Sequence, residues 1–340
     1  MDLEKKYYEV KSYIDAVDFA ELWRGFEPLR YALYTDRECF FDGAYIEKNE
    51  SFIGNTSILY NGEWIAIWNV QEEIDSVVLA SKIIHEMFHG FQSMHNDSRF
   101  PDELDALYNY KYEEDNLDLK LKENNLLCHL SEQFDEEAFR EFLEIRKYRC
   151  SSFGYAYRYE SSIEQIEGAA NYVELLCLNQ LSAELFENKL SQMRKRITDP
   201  DRLFPVRVIC YDIGALLLHV LKENGIAFDD GFSSVCFSEA IICNVEEKKH
   251  TSSYSTKDLL TSYNAKASEI IQKAKEKNVL VADRSCELLG VNVYNAVFFE
   301  NHIISKYFVM FGTKDDPRIE YGDFVIESGE YKKATKIYRI

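Results

Sequence analysis

The chain has 340 residues, of which 46% are hydrophobic, and a formal net charge of −20 at pH 7. This length and composition are sufficient for a globular protein with a sizeable core. The negative charge argues against a nucleic-acid backbone or an anionic membrane as the main partner, because both would repel the chain at long range. The N-terminus has no apolar segment of the secretion-signal type, and no stretch approaches the roughly 18 apolar residues of a membrane span. We therefore expect a cytoplasmic protein.

The first half of the chain changes from helix to strand and back to helix. Residues 1–35 are predicted to be mostly helical, and residues 36–70 are strand-rich, with the runs "ECFFDGAYIEK", "SFIGNTSILYN" and "EWIAIWNV". The dipeptides "DG" and "NG" in this region predict antiparallel strands joined by tight turns. The apolar pattern then indicates a helix over residues 76–95. A charged helical insertion follows over residues 101–150, and we expect it to be a solvated surface without chemistry of its own.

The second half combines helices with a group of C-terminal strands. We expect a helical subdomain over residues 160–277, in which "VRVICYDIGALLLHVLKENG" forms a helix that ends at Gly225. From Val279 onward the sequence alternates as strands do, so residues 278–340 are predicted to form a small β-rich subdomain. Residues 1–277 would then be one larger domain. Eight cysteines are scattered along the chain without a CxxC pair, which is typical of reduced core thiols.

The run "HEMFH" at residues 85–89 is the main chemical motif of the chain. On a helix, His85 and His89 stack one turn apart on the same face and can hold one metal ion together. Glu86 is displaced around the helix, so it does not bind the ion but can reach a water beside it. This arrangement is typical of zinc hydrolases, in which zinc lowers the pKa of a water toward ~7 and a carboxylate takes its proton. Chance occurrence and a di-iron helical bundle are the weaker alternatives.

A catalytic zinc site needs a third protein ligand. In the metzincin pattern HExxHxxGxxH that ligand is a third histidine, and His95 stands at its position. That pattern depends on a glycine that lets the chain turn back, and Gln92 occupies the glycine position here. If the helix continues, His95 lies about 9 Å beyond His89 along the axis and cannot reach the ion. The sequence therefore favours a carboxylate farther along the chain.

The carboxylate candidates lie in "SSIEQIEGAANYVE", residues 161–174. Ser161 and Glu164 have the spacing of a capping box, which predicts a helix start at this point. Glu167 would then lie one turn inside the helix, and Gly168 would allow a neighbouring helix to approach closely. Spacing alone leaves the choice open, and the other possible ligands are Glu160, Glu164 and Glu174.

Two further motifs resemble the gluzincins, the HExxH superfamily that includes thermolysin and the aminopeptidase N-like enzymes. "EGAANYVE" is similar to the E-G-x-A-x-Y-x-E element whose first glutamate is the third zinc ligand, which implies that role for Glu167. "YDIGALLLHVLKENG" resembles the Y-x-K-G-x-x-x-L-x-x-L helix, whose tyrosine stabilises the oxyanion, and this implies that role for Tyr211. Ile213 replaces the lysine of that motif, and the G-x-M-E-N strand of aminopeptidases is not present. The resemblance spans roughly residues 60–225.

The sequence thus predicts an α+β protein with a zincin-like catalytic domain that hydrolyses peptide bonds in a peptide or protein substrate. Zn²⁺ would be bound by His85, His89 and Glu167, with Glu86 as general base and Tyr211 supporting the oxyanion. The alternative is a non-hydrolytic zinc-binding module that serves a regulatory or peptide-binding purpose, and a third hypothesis is a non-peptidase hydrolase on the same scaffold.

Two supporting roles are also predicted. The strand "EWIAIWNV" is a candidate edge strand that would pair with an extended peptide backbone. Asn171 lies one turn after Glu167, and it either orients a metal ligand or is an ordinary polar helix residue.

Overall fold

A computed structural model describes residues 2–340 as an α+β protein with two sheets. The helices are α1 (Leu3–Ile14), α2 (Phe19–Leu22), α3 (Ser76–Met94), α4 (Glu103–Asn109), α5 (Glu114–Glu132), α6 (Glu136–Ser152), α7 (Gly154–Ile163), α8 (Ala169–Leu181), α9 (Ala183–Ile197), α10 (Val206–Glu223), α11 (Phe237–Ala240) and α12 (Lys257–Lys277). The strands are β1 (Tyr31–Tyr34), β2 (Cys39–Phe41), β3 (Ala44–Ile46), β4 (Thr56–Tyr60), β5 (Glu63–Asn69), β6 (Leu280–Ala282), β7 (Cys286–Val291), β8 (Val297–Phe299), β9 (His302–Ser305), β10 (Phe308–Thr313), β11 (Asp316–Tyr321), β12 (Phe324–Glu330) and β13 (Lys333–Arg339).

The N-terminal sheet has the strand order β3-β2-β1-β5-β4. The predicted hairpins are confirmed, because β2 pairs antiparallel with β3 and β4 pairs antiparallel with β5. Both turns carry positive φ angles, at Asp42 and Gly43 and at Asn61 and Gly62, which is the backbone that these residue types allow.

Two predictions about this sheet are wrong. Residues 1–35 are not mostly helical to their end, because β1 (Tyr31–Tyr34) is a fully buried strand that pairs in parallel with β5. "EWIAIWNV" is also not an edge strand, since β5 lies between β1 and β4. The edge of the sheet on that side is β4, which pairs with β5 alone.

Helix α3 carries the "HEMFH" motif and has the predicted bounds. Asp75 caps its start, with the side chain accepting hydrogen bonds from the backbone N–H groups of Val77 and Val78. The apolar face of α3 is buried in the main core, where Met87 and Phe88 are at most 1% exposed. The histidines lie on the opposite, partly exposed side. Because the apolar face packs in the core, the side with the histidines points away from it.

The helix around Glu167 does not start at Ser161, so the predicted capping box is wrong. The chain is helical without interruption from Gly154 through α7 and on through α8, with a π-helical turn at Glu164–Gly168 between them. Ser161 and Glu164 are both fully buried inside this helix rather than at its end. A π-helical turn inside an α-helix frequently marks a functional position, and Glu167 lies within it.

The charged segment between residues 101 and 150 is not a solvated surface, which corrects the prediction for this insertion. Its helices α5 and α6 bury an ionic network against α7, in which Arg146 and Arg149 both bind the carboxylate of Glu123. Arg149 also binds Glu160, together with Lys120. All these side chains are at most 1% exposed, and the network includes Glu164, which Arg146 holds at 2.6 Å.

The C-terminal strands form an eight-stranded sheet in the order β11-β10-β7-β13-β12-β9-β8, with β6 paired to β13. This agrees with the strands expected from residue 278 onward. Helix α12 packs on this sheet through Ala267, Ile271 and Ala274. Helix α4 contacts the other core of the same sheet, so the C-terminal strands are joined to the helical part through α4. Within residues 2–340, no helix is both long and apolar enough to cross a membrane.

Candidate metal centre

The two histidines of the motif face each other across one turn of α3. Nε2 of His85 lies 3.1 Å from Nε2 of His89, and both rings are partly exposed to one cavity. Their ring planes are nearly perpendicular, at 78°. Both Nε2 atoms therefore point toward one place outside the helix.

Glu167 completes this group from the π-helical turn. Its Oε2 lies 3.3 Å from Nε2 of His89, and the ligand atoms of His85, His89 and Glu167 all lie within 4.8 Å of one another. Among residues 2–340, these three residues are the group of histidine, cysteine or carboxylate side chains that could hold a metal ion.

Two of the three separations in this group are compatible with zinc ligands, and the third, between His85 and Glu167, is within 4.8 Å. Ligands about 2.1 Å from a tetrahedral zinc are about 3.4 Å apart, close to the 3.1 and 3.3 Å found here. Two imidazoles and one carboxylate are also a donor set that catalytic zinc uses, with the fourth position open.

His89 and Glu167 form a charged pair. Burial disfavours the protonated form of His89, but the carboxylate of Glu167 raises the pKa of His89 to about 9. Burial likewise opposes the charge of Glu167, but His89 and then Arg207 lower the pKa of Glu167 to about 2. A cation at this place would replace the proton of His89 as the partner of the carboxylate.

Gln92 orients the ring of His89. Its Oε1 lies 2.8 Å from Nδ1 of His89, and its Nε2 donates to the carbonyl oxygen of Ile166 at 3.1 Å. A protein acceptor on Nδ1 leaves Nε2 for the metal. Gln92 stands where a metzincin has its turning glycine, and the sequence analysis assigned it no role of its own.

Glu174 faces the other histidine. Its Oε2 lies 3.5 Å from Nδ1 of His85, and its Oε1 accepts a hydrogen bond from Lys189 at 2.9 Å. Burial opposes the charge of Glu174, but Lys189 and His85 hold its pKa well below the usual range. Glu174 therefore stands behind a ligand, the role that the sequence suggested for Asn171. Asn171 lines the cavity but its side chain makes no hydrogen bond within residues 2–340.

Glu86 lines the same cavity, which has a volume of about 280 Å³. The carboxylate of Glu86 makes no hydrogen bond to protein in the described part of the chain and is partly exposed. It is therefore available to accept a proton from a molecule in the cavity, as a general base must be.

Tyr211 reaches the cavity from α10, and Arg207 one turn earlier on the same helix holds it. Arg207 donates one guanidinium hydrogen bond to the hydroxyl oxygen of Tyr211 and another, at 2.9 Å, to Glu167. A third goes to Glu103 of α4 at 2.8 Å. Since the oxygen of Tyr211 accepts from Arg207, the hydroxyl proton is free for another acceptor. Arg207 belongs to none of the sequence motifs, although it lies four residues before Tyr211, the spacing of neighbours on a helix face.

The C-terminal sheet also contributes to the cavity. Tyr294, in the turn between β7 and β8, lines it and lies over the guanidinium of Arg207 at 4.7 Å. One wall of the candidate site therefore comes from the subdomain that the sequence left without a role.

Three of the four alternative ligands lie elsewhere, whereas Glu174 is in the cavity behind His85. His95 ends α3, where its Nδ1 contacts the carbonyl oxygen of Phe91 and its ring stacks on Phe232 at 4.3 Å. Glu160 and Glu164 are held in the buried ionic network. The run "EKKH" that ends at His250, a second Glu-x-x-His sequence, is not helical and does not face α3. The structure therefore supplies no second half for a di-iron bundle among residues 2–340.

A larger groove of about 670 Å³ lies on the C-terminal sheet, lined by residues of β6, β7 and β10. It contains no group of metal-ligating side chains. We therefore take the smaller cavity at His85, His89 and Glu167 as the candidate site, because chemistry rather than size distinguishes it.

Comparison with known proteins adds no relative: no family model, no curated protein and no solved structure matches this chain.

Proposed function

We propose that the protein is a zinc-dependent peptide-bond hydrolase of the gluzincin type, with a zincin-like catalytic domain. The observation that carries the proposal is the meeting of His85, His89 and Glu167 at zinc-ligand spacing, with Glu86 free in the same cavity. The ligands come from two helices far apart in sequence, so the arrangement is not a by-product of one helical repeat.

The residues of the chain have distinct tasks in this proposal. Zinc would supply Lewis acidity, lowering the pKa of a water toward about 7 and polarising the scissile carbonyl. Glu86 takes the proton from the attacking water and passes it to the amine that leaves. Tyr211 donates its free hydroxyl proton to the oxygen that becomes negative, and Arg207 holds the phenol in place.

An extended substrate would lie along β4. This strand is one of the two edges of the N-terminal sheet, and Thr56 at its start lines the cavity. A free strand edge can pair with a peptide backbone through main-chain hydrogen bonds. The role that the sequence assigned to "EWIAIWNV" thus passes to the neighbouring strand.

The alternative function is a zinc-binding module without hydrolysis, used in regulation or peptide binding. The free carboxylate of Glu86 favours the enzyme, since a binding module has no need for a general base in this position. A non-peptidase hydrolase on the same scaffold would keep all the residues named and differ only in its substrate.

The experiment that separates these functions begins with metal analysis of the purified protein. A peptide library is then incubated with the zinc-loaded protein and with protein stripped by a chelator. We expect about one zinc per chain and cleavage that the chelator abolishes and added zinc restores. Zinc without cleavage would favour the binding module, and absence of zinc would contradict the proposal.

A further inference from the structure

The two ends of the candidate cavity differ in charge. At the His89 end, Arg207 is fully engaged with Glu103, Glu167 and Tyr211. At the His85 end, the cavity wall carries two ammonium groups, those of Lys82 and Lys189. A substrate in the cavity would therefore meet available positive charge on one side only.

Lys189 already has a carboxylate partner. Its Nζ donates to Oε1 of Glu174 at 2.9 Å, and the side chain is 18% exposed. Since Glu174 faces His85 with its other oxygen, this lysine helps to hold the carboxylate behind a metal ligand. Lys189 is thus mainly a positioning residue.

Lys82 is different, although it lies only one turn before His85 on α3. Its Nζ is 4.0 Å from Oε1 of Glu174, too far for a hydrogen bond, and the side chain is 35% exposed. It also lies over the face of Trp68, with Nζ 5.9 Å from the ring centroid. In the described part of the chain, this ammonium donates no hydrogen bond, so all its donors are available to a ligand.

The negative groups of the cavity balance Lys82 only in part, because Glu174, its ion-pair partner at 4.0 Å, is paired more closely with Lys189 at 2.9 Å. Glu167 is paired with His89 and Arg207, and Glu174 is paired with Lys189. Glu86 remains, and the proposed mechanism uses it as a base.

We propose that the His85 end of the cavity binds a substrate carboxylate, which accepts hydrogen bonds from Lys82. The inference rests on the proposed function and gives it a substrate class: peptides with a negative group close to the scissile bond. That group is either the side chain of an acidic residue or the α-carboxylate of the chain end. The first source corresponds to cleavage within a chain and the second to removal of a terminal residue.

Binding without turnover provides the first test. Glutaric acid monohydroxamate carries a zinc-binding group at one end and a carboxylate at the other, and its amide analogue lacks the charge. Isothermal titration of the zinc-loaded protein should show the acid binding about tenfold more tightly than the amide, the effect of one charge-assisted hydrogen bond at a partly exposed site. Succinic and adipic homologues cover a shorter and a longer reach.

Lysine variants show which side chain causes the tighter binding of the acid. Lys82→Met should reduce the preference for the acid to about twofold or less, because the donor is removed while the aliphatic side chain is kept. Lys122→Met is the matched control, since Lys122 is 26% exposed, pairs with Glu141 and does not line the cavity. This control should keep the wild-type preference.

Peptides distinguish the two sources of the carboxylate. One pair has Glu or Gln beside the scissile bond with both ends blocked, and a second pair has a neutral sequence that ends in a free or an amidated carboxyl group. A preference of kcat/KM for Glu in the first pair supports the side chain, and a preference for the free end in the second supports the α-carboxylate. In either case Lys82→Met should remove the preference.

The inference and the proposed function fail in different ways. Equal binding of acid and amide at all three lengths, with hydroxamate binding intact, would overturn the carboxylate site and leave the zinc hydrolase standing. The same conclusion would follow if Lys82→Met kept the wild-type preference. A protein that neither contains nor binds zinc would overturn both.

Discussion

Gly168 and Gly214 meet backbone to backbone where the π-helical turn crosses α10. A Cβ placed on Gly168 would lie 2.7 Å from Cα of Gly214, and one on Gly214 would lie 2.6 Å from the carbonyl oxygen of Glu164. Both distances are too short for any side chain. The contact sets the separation of Glu167 from Tyr211, because Glu167 is next to Gly168 and Tyr211 lies one turn before Gly214. The close approach expected at Gly168 is thus confirmed.

Substitution at this contact should disturb the metal centre without touching a ligand. We expect Gly214→Ala to lower the free energy of unfolding by about 1–3 kcal/mol, since backbone atoms must separate to admit the methyl group. The same separation should weaken zinc binding. Gly154→Ala is the control, because its Cβ would meet only the mobile end of Arg158. Denaturant unfolding and zinc titration of both variants measure the two effects, and an unchanged Gly214→Ala protein would contradict this account of the contact.

The identity of the third ligand gives a second prediction. Glu167→Ala should lose zinc on dialysis, because two histidines alone hold the ion weakly. His95→Ala should retain about one zinc per chain, since His95 is occupied with Phe91 and Phe232. Metal analysis of the two dialysed proteins provides the measurement. Zinc retained by Glu167→Ala and lost by His95→Ala would restore the metzincin arrangement.

Tyr211→Phe tests the oxyanion role. The phenol donates only when charge develops on the substrate oxygen, so kcat should fall about 10²- to 10³-fold with little change in KM. Zinc content and thermal stability should stay at wild-type levels, because Arg207 keeps its bonds to Glu103 and Glu167. Steady-state kinetics on a cleaved library peptide would show this. A change in KM alone would assign Tyr211 to substrate binding.

The buried ionic network predicts how stability depends on pH. Burial opposes the charge of Glu160, but Arg149 and Lys120 lower its pKa from 4.5 to about 2. A carboxyl with a lowered folded-state pKa stabilises the protein above its ordinary pKa, and this stabilisation is lost as the pH falls from about 4.5 to about 2.

Removing the carboxylate of Glu160 leaves the buried cations Arg149 and Lys120 without a full partner. Glu160→Gln should therefore lower the free energy of unfolding at neutral pH by about 3 kcal/mol or more, and flatten the decline in acid. Glu269→Gln, at an exposed pair with Lys273, should change neither quantity. Urea unfolding across the acid range measures both. If the free energy of unfolding of Glu160→Gln still fell steeply in acid, that fall would be due to other groups.

The sequence predicted best where one helix or one hairpin decides the structure. Asp75 and the apolar face fixed α3, and "DG" and "NG" fixed the two tight turns. Strand β1 was missed because Tyr31–Tyr34 is four residues long and buried on both sides, so it shows no alternation. The edge strand was misassigned for a related reason: the position of β5 depends on its parallel pairing with β1.

The remaining errors come from partners that lie far away in the sequence. Arg146 and Arg149 have the sequence appearance of a solvated helix face, and only the fold brings Glu123 and Glu160 to them. Ser161 matched a capping box, but the helix had already started at Gly154. At the candidate site, the three candidate ligands that the structure brings together could be named from the sequence, whereas Arg207, Gln92 and Lys82 depend on which elements meet around them.

The central claim is that Glu86 is the general base of a zinc hydrolase. The direct measurement compares zinc-loaded wild type with Glu86→Gln, first for zinc content and then for cleavage of the same peptide library. Glutamine keeps the size of the side chain but accepts no proton, so the account predicts equal zinc content and a fall in kcat of at least about 10²-fold. Equal cleavage by the two proteins would contradict it.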